Sequence, residues 1–174
     1  MGENVLLGSD VYKEKYEVGK KIGEGGFGKV SSVRKKETGE KFAAKFIRID
    51  SDTDKKETQK EIGLLKTMNN DFVIKFVDAF GSAKEFIIVT EYLDGGELFY
   101  RIVDEEFKLL ESDCCFFMSQ VCKGLEYLHR NHIVHMDIKV GFNYKPNLTK
   151  TPPFQNSCNH NDSILHHYYK RLTD

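Results

Sequence analysis

The chain has 174 residues, 40% hydrophobic and 30% charged, with a formal net charge of -1. That balance fits a soluble globular protein of one domain, or one and a part. It supplies no global basic field for nucleic acid or an anionic membrane, so neither is an expected partner. Four cysteines make no disulfide framework. Two of them, Cys114 and Cys115, are adjacent and none forms a CxxC pair, so reduced thiols and a cytoplasmic location are expected. The opening MGENVLLGSD lacks the basic and apolar blocks of a secretory signal, and Leu6 stands where a myristoylation signal needs Ser or Thr. No apolar run approaches the roughly 18 residues that span a bilayer.

Three regions follow one another. Residues 1–15 are a short lead-in, residues 16–139 carry regular hydrophobic patterning, and residues 140–174 differ in kind. All three prolines fall in the last region, and apolar periodicity is lost there until a short ILHHYY stretch, so a poorly ordered tail is expected. In the middle region, residues 16–22, 28–35 and 41–48 read as strands, split by the glycine-rich GEGGFG and by a turn at ETGE. A helix is predicted over 53–68, with Ile62, Leu65 and Met68 at helical spacing. Residues 72–80 and 85–92 read as two more strands. Asp94-Gly95-Gly96 breaks the chain. A short helix near 97–104 and a longer one over 113–130 come next. In the longer helix Cys114, Phe117, Val121, Leu125 and Leu128 form one apolar stripe, with Ser112 as N-cap. Five strands with one inserted helix, then helices, make an α+β arrangement with two lobes in prospect.

Gly23, Gly25 and Gly28 form GxGxxG, with Val30 two residues on. Glycines let backbone N–H groups approach phosphates because no Cβ intrudes. A dinucleotide-binding fold needs a buried strand before such a loop and a helix after it. Here YEVGKKI is half polar and KVSSVRKK is extended, so the loop joins two antiparallel strands. A plain glycine hairpin is the bland alternative. Further along, Phe42-Ala43-Ala44-Lys45 lies on the third predicted strand, and Glu61 follows on the predicted helix as a counter-ion for Lys45. Then come IIVTEYLDGGELF and HRNHIVHMDIK.

Taken together, these four segments resemble the ATP-binding half of a eukaryotic Ser/Thr protein kinase of the calcium/calmodulin-dependent group. GGELF, VCKGLEYLH and the non-Arg residue before Asp137 look most like the myosin light chain, twitchin and titin, and death-associated kinases. The resemblance implies a kinase N-lobe, a five-stranded antiparallel sheet plus one helix to about residue 93. A hinge and the first helices of an incomplete C-lobe would occupy 94–139. It implies ATP as the nucleotide, cradled by Gly23, Gly25 and Gly28. Val30 and Ala43 would sandwich the adenine. Lys45 would hold the α- and β-phosphates and pair with Glu61. Thr90 falls at the gatekeeper position, the Glu91 carbonyl and Leu93 N–H would read the adenine edge, and Glu97 would sit near the ribose or a basic substrate side chain. Asp137 would orient and accept the substrate hydroxyl proton, and Lys139 is the Ser/Thr-kinase signature. Met136 replaces the Arg that pairs with an activation-loop phosphate, which implies a kinase not switched on that way. No calmodulin-binding segment is recognisable.

The likeness fails after Lys139. The Asn that would bind Mg²⁺ belongs five residues after Asp137, where Phe142 stands, and nothing downstream reads DFG or APE. No protein ligands for Mg²⁺ are therefore identified. The expectation is a Ser/Thr kinase by family that is inactive as this 174-residue chain. The alternatives are a non-catalytic fragment that binds nucleotide or competes with a full-length kinase for partners, and a fragment with no stable fold. Cys158, His160, His166 and His167 lie in the tail, but one Cys without a matched second pair is poor evidence of a metal site.

Overall fold

A computed structural model describes residues 8–25, 28–95, 103, 110–136, 138 and 169–171. The elements in order are α1 (Ser9–Lys15), β1 (Tyr16–Gly25), β2 (Gly28–Lys35), β3 (Lys41–Arg48), α2 (Asp52–Thr67), β4 (Phe76–Gly81), β5 (Glu85–Glu91), α3 (Glu111–Arg130), β6 (Ile133–His135) and β7 (Tyr169–Arg171). They belong to two compact units: 1–67 with 76–92, and 68–75 with 93–174.

The first unit is a five-stranded sheet in the order β1-β2-β3-β5-β4, antiparallel throughout. The β2–β3 turn forms where ETGE predicts it. Gly39 adopts φ +72° there, its N–H donates to the Lys35 carbonyl at 2.7 Å, and the Arg34 guanidinium donates to its carbonyl at 3.0 Å. A left-handed residue is costly for anything with a Cβ, which is why glycine ends this turn.

Side chains alternate between two faces. The outer face holds an aromatic and aliphatic core of Tyr12, Tyr16, Val33, Ala44, Phe80, Ile87 and Val89. Tyr12 comes from α1, the helix inside the predicted lead-in, and its ring packs edge-on against Phe46 and Phe80 at 5.8 and 5.4 Å. Lys15 fixes the other end of α1 on Asp78 at 3.3 Å. The helix was not anticipated because its seven residues carry only Val11 and Tyr12 as apolar positions, too few to set a period.

α2 starts one residue earlier than predicted and begins with a capping box. Ser51 Oγ accepts from the Asp54 N–H at 3.1 Å, while the Asp54 carboxylate accepts from the Ser51 N–H at 2.8 Å. Hydrogen bonding from the Ser51 hydroxyl first, then from the Asp50 and Ser51 N–H groups, holds the Asp54 carboxyl below its usual range. The fourth strand begins at Phe76 rather than at 72. Val73 and Ile74 are buried, so they read as strand, but they belong to the second unit.

In the second unit, Asn69 N–H donates to the Tyr127 hydroxyl at 2.9 Å and Lys123 lies 5.2 Å over the Phe72 ring, so 68–75 packs on α3. The expected N-cap of α3 is corrected. Leu110 is the cap residue, its N–H donates to the Asp113 carboxylate at 2.9 Å, and Ser112 lies inside the first turn. The expected stripe is also rotated. Phe117, Gln120, Val121, Gly124 and Leu128 are buried, whereas Cys114 is exposed and Leu125 half-buried. Phe116 is exposed. At its C-terminus Asn131 N–H donates to the Tyr127 and Leu128 carbonyls, and His132 takes φ +59°. β6 pairs with β7, which starts on the last residue of the ILHHYY stretch within the region expected to be a poorly ordered tail. The predicted helix near 97–104 lies outside the described residues.

Candidate functional site

The inner face of the sheet carries the predicted residues in two rows. Gly23 lies opposite Val30, Val30 opposite Lys45, and Lys45 opposite Ile88, which makes one row across β1, β2, β3 and β5. Ser32 lies opposite Ala43 and Ala43 opposite Thr90, which makes the next. Cross-strand partners share a face, so Gly23, Val30, Ala43, Lys45 and Thr90 look out on the same side. Residues far apart in the chain are collected there by strand register alone.

Lys45 Nζ donates to Glu61 Oε1 at 2.9 Å, from β3 to α2. The two side chains are 16% and 20% exposed. That burial decides how the pair is read: a surface pair would be worth little, whereas a largely desolvated one is strengthened and held in one geometry. The ammonium is thereby fixed over the inner face beside Val30.

The glycines divide by physical cause. Gly28 has φ +116°, and a Cβ on it would meet the Phe46 carbonyl oxygen at 2.2 Å. Packing against β3 alone therefore requires glycine there. Among the described residues, a Cβ on Gly23 would meet only the Val30 Cβ, at 3.8 Å, an ordinary contact. Packing does not require glycine at 23, and its lack of a side chain leaves the inner face open next to Val30. Gly25 closes β1 opposite Gly28.

At the far end of the rows Thr90 is buried, and its hydroxyl donates to the Glu91 carbonyl at 3.4 Å, a long bond. Lys41 Nζ lies 3.6 Å from the centroid of the Tyr92 ring, a cation–π contact that pins the chain as it leaves β5. No spacing rule points to that pair. The capping box that sets the start of α2, and so the helix bearing Glu61, does have a signal in S-x-x-D before a helical pattern. Leu93 follows in the second unit as half-buried irregular chain. Glu97, Asp137 and Lys139 lie outside the described residues, as do Phe142, Cys158, His160, His166 and His167. Among the described residues no three His, Cys, Asp or Glu side chains are grouped to hold a metal ion, and no helix is long and apolar enough to cross a membrane.

The protein kinase domain family matches residues 16–141. Human myosin light chain kinase family member 4 is 41% identical over 118 residues, 68% of this chain and 30% of the relative. Among solved structures, a twitchin kinase fragment from C. elegans superposes with a TM-score of 0.71 at 31% identity, covering 87% of this chain and 32% of the other. Titin kinase with its flanking domains gives 0.71 at 28% identity, covering 76% and 24%. The chain thus spans less than a third of each of these relatives. It belongs to the protein kinase domain family, with neighbours among the myosin light chain, twitchin and titin kinases.

Proposed function

We propose that the inner face of the sheet holds ATP, and that the site is that of a Ser/Thr protein kinase transferring a phosphoryl group to protein hydroxyls. One observation carries the reading: Lys45 is fixed by Glu61 on the same sheet face as Gly23, Val30, Ala43 and Thr90. In this reading Lys45 neutralises the α- and β-phosphates. Gly23 lets the chain approach them. Val30 and Ala43 give the adenine apolar contact, Thr90 limits the depth of the pocket, and the Glu91 carbonyl with the Leu93 N–H reads the adenine edge. Glu97 meets the ribose. Asp137 accepts the substrate hydroxyl proton, and Lys139 steadies the transferring phosphate by charge. The free, exposed Cys114, Cys115 and Cys122 suit a reducing cytoplasm.

Mg²⁺ supplies charge neutralisation in such sites, worth several kcal/mol, and each ~1.4 kcal/mol is tenfold in rate. The residues of this chain do not fit that ion: Phe142, an apolar side chain, stands where a carboxamide is needed. We infer that residues 1–174 bind nucleotide and transfer its terminal phosphoryl group poorly or not at all. Titrating the 174-residue chain with ATP, with and without Mg²⁺, and assaying phosphotransfer to a mixed peptide substrate tests both halves. Saturable ATP binding with no transfer above that of Asp137→Asn is expected. Failure to bind ATP would remove the whole reading, and Asp137-dependent transfer would overturn its second half.

A further inference from the structure

β7 lies against the strand that leads into the candidate catalytic loop. Ile133 pairs with Arg171, Val134 with Lys170 and His135 with Tyr169. Met136 and Asp137 come directly after β6. β6 is held in two ways. Ile133 and His135 are buried, and α3 packs against the strand. Along its edge the backbone pairs with β7, which satisfies groups that an open edge would leave to solvent.

The two holds differ in strength. Three residue pairs make a short ladder, and two-stranded pairings are marginal by themselves. The two strands are also far apart in the chain, Ile133–His135 against Tyr169–Arg171, and the entropy cost of bringing chain segments together grows with their separation. Contacts of that kind open locally while the rest of a fold persists.

We propose that Tyr169–Arg171 is a detachable positioning strand. Paired, it fixes β6 and with it the entry to the Asp137 loop. Released, it frees that entry while α3 and the five-stranded sheet stay folded. The functional consequence rests on the proposed role of Asp137; the mechanical claim does not.

Amide hydrogen exchange on the full 174-residue chain tests it, comparing wild type with Lys170→Pro, Lys170→Gly and Lys170→Ala. Proline removes a backbone donor and fixes φ, glycine only raises the entropy of the strand, and alanine changes the side chain alone. Exchange at Ile133–His135 and Met136 should rise at least tenfold in the proline variant and by a smaller factor in the glycine variant. It should stay at the wild-type rate with alanine, with α3 and β3 amides unchanged throughout. Unchanged β6 exchange in both the proline and glycine variants would overturn the proposal. So would an equal rise across α3, which would mean the strand is integral and not detachable, or an equal effect of alanine, which would assign the hold to the side chain. ATP affinity is measured alongside. If nucleotide binding fails while β6 responds, the functional reading falls and the strand stands; the reverse pattern removes the strand alone.

Discussion

The two faces of the five-stranded sheet are built from alternate residues of the same strands, yet they are filled on opposite principles. The outer face is closed by aromatic rings: Tyr12, Tyr16 and Phe80 are buried together under α1. The inner face keeps small or polar groups in register, Gly23, Ala43, Lys45 and Thr90, with Lys45 held by Glu61. Phe42-Ala43-Ala44-Lys45 shows the division within four residues, because Phe42 and Ala44 join the outer core while Ala43 and Lys45 serve the inner rows. The part of a face that must admit a ligand cannot be filled by its own side chains, so the aromatic packing of the sheet is concentrated on the other side, while Ile88 adds buried apolar packing on the inner face.

The largest test of that division is Phe80→Ala. Phe80 has no exposed surface, and truncation of a buried Phe costs about 3–5 kcal/mol. Chemical denaturation should show that loss, while ATP affinity, measured at a temperature where the variant is folded, stays within threefold. A larger change in affinity would mean the faces are not separable. Gly28→Ala should come next, at about 1–3 kcal/mol for the strained backbone, because both its φ and the Phe46 carbonyl oppose a side chain. It should also weaken nucleotide binding by displacing β2. The contrasting Gly23→Ala should leave the melting temperature nearly unchanged and weaken ATP alone, since its Cβ has room in the sheet.

Smaller effects should follow from Ser51→Ala, about 1 kcal/mol for a lost N-cap, read by denaturation. The Asp54 carboxyl sits below its usual range, so its contribution is present above about pH 4 and should fade as pH falls through the lowered value. On the outer face, burial first, then the Glu85 charge, pushes the Tyr12 phenol up to about 12. A raised phenol means the fold prefers the neutral form. Its contribution is complete below pH 10 and is lost as pH rises from 10 toward 12. Tyr12→Phe should flatten that alkaline decline at little cost at neutral pH, because the buried hydroxyl finds no hydrogen-bond partner among the described residues. Midpoints of denaturation from pH 9 to 12 check both statements.

Much of the sheet was legible because period-two patterning, turn residues and spaced motifs each leave a local signal. β2 and β3 match their predicted bounds, and Lys45 and Glu61 do meet. What was not legible depends on packing that has no local period. α1 is too short to show one, Val73 and Ile74 are buried but give only an isolated bridge at Val73, and the α3 stripe is rotated because Gln120 and Gly124, neither strongly apolar, face inward. The glycine motif carried two causes under one pattern: Gly28 answers to the Phe46 carbonyl, whereas packing among the described residues does not require Gly23, which is left for a ligand to explain. β7 lies in a segment without a strand pattern, where a partner strand and not the sequence decides the conformation.

The central claim, that Glu61 serves the nucleotide by holding Lys45, is tested most directly by a double-mutant cycle of ATP affinity. It uses Lys45→Met, Glu61→Gln and the double variant, titrated calorimetrically. Each single change should weaken ATP at least tenfold, about 1.4 kcal/mol. The double change should cost little more than Lys45→Met, because Glu61 acts through the lysine. Fully additive losses, or undiminished binding by Lys45→Met, would contradict the account.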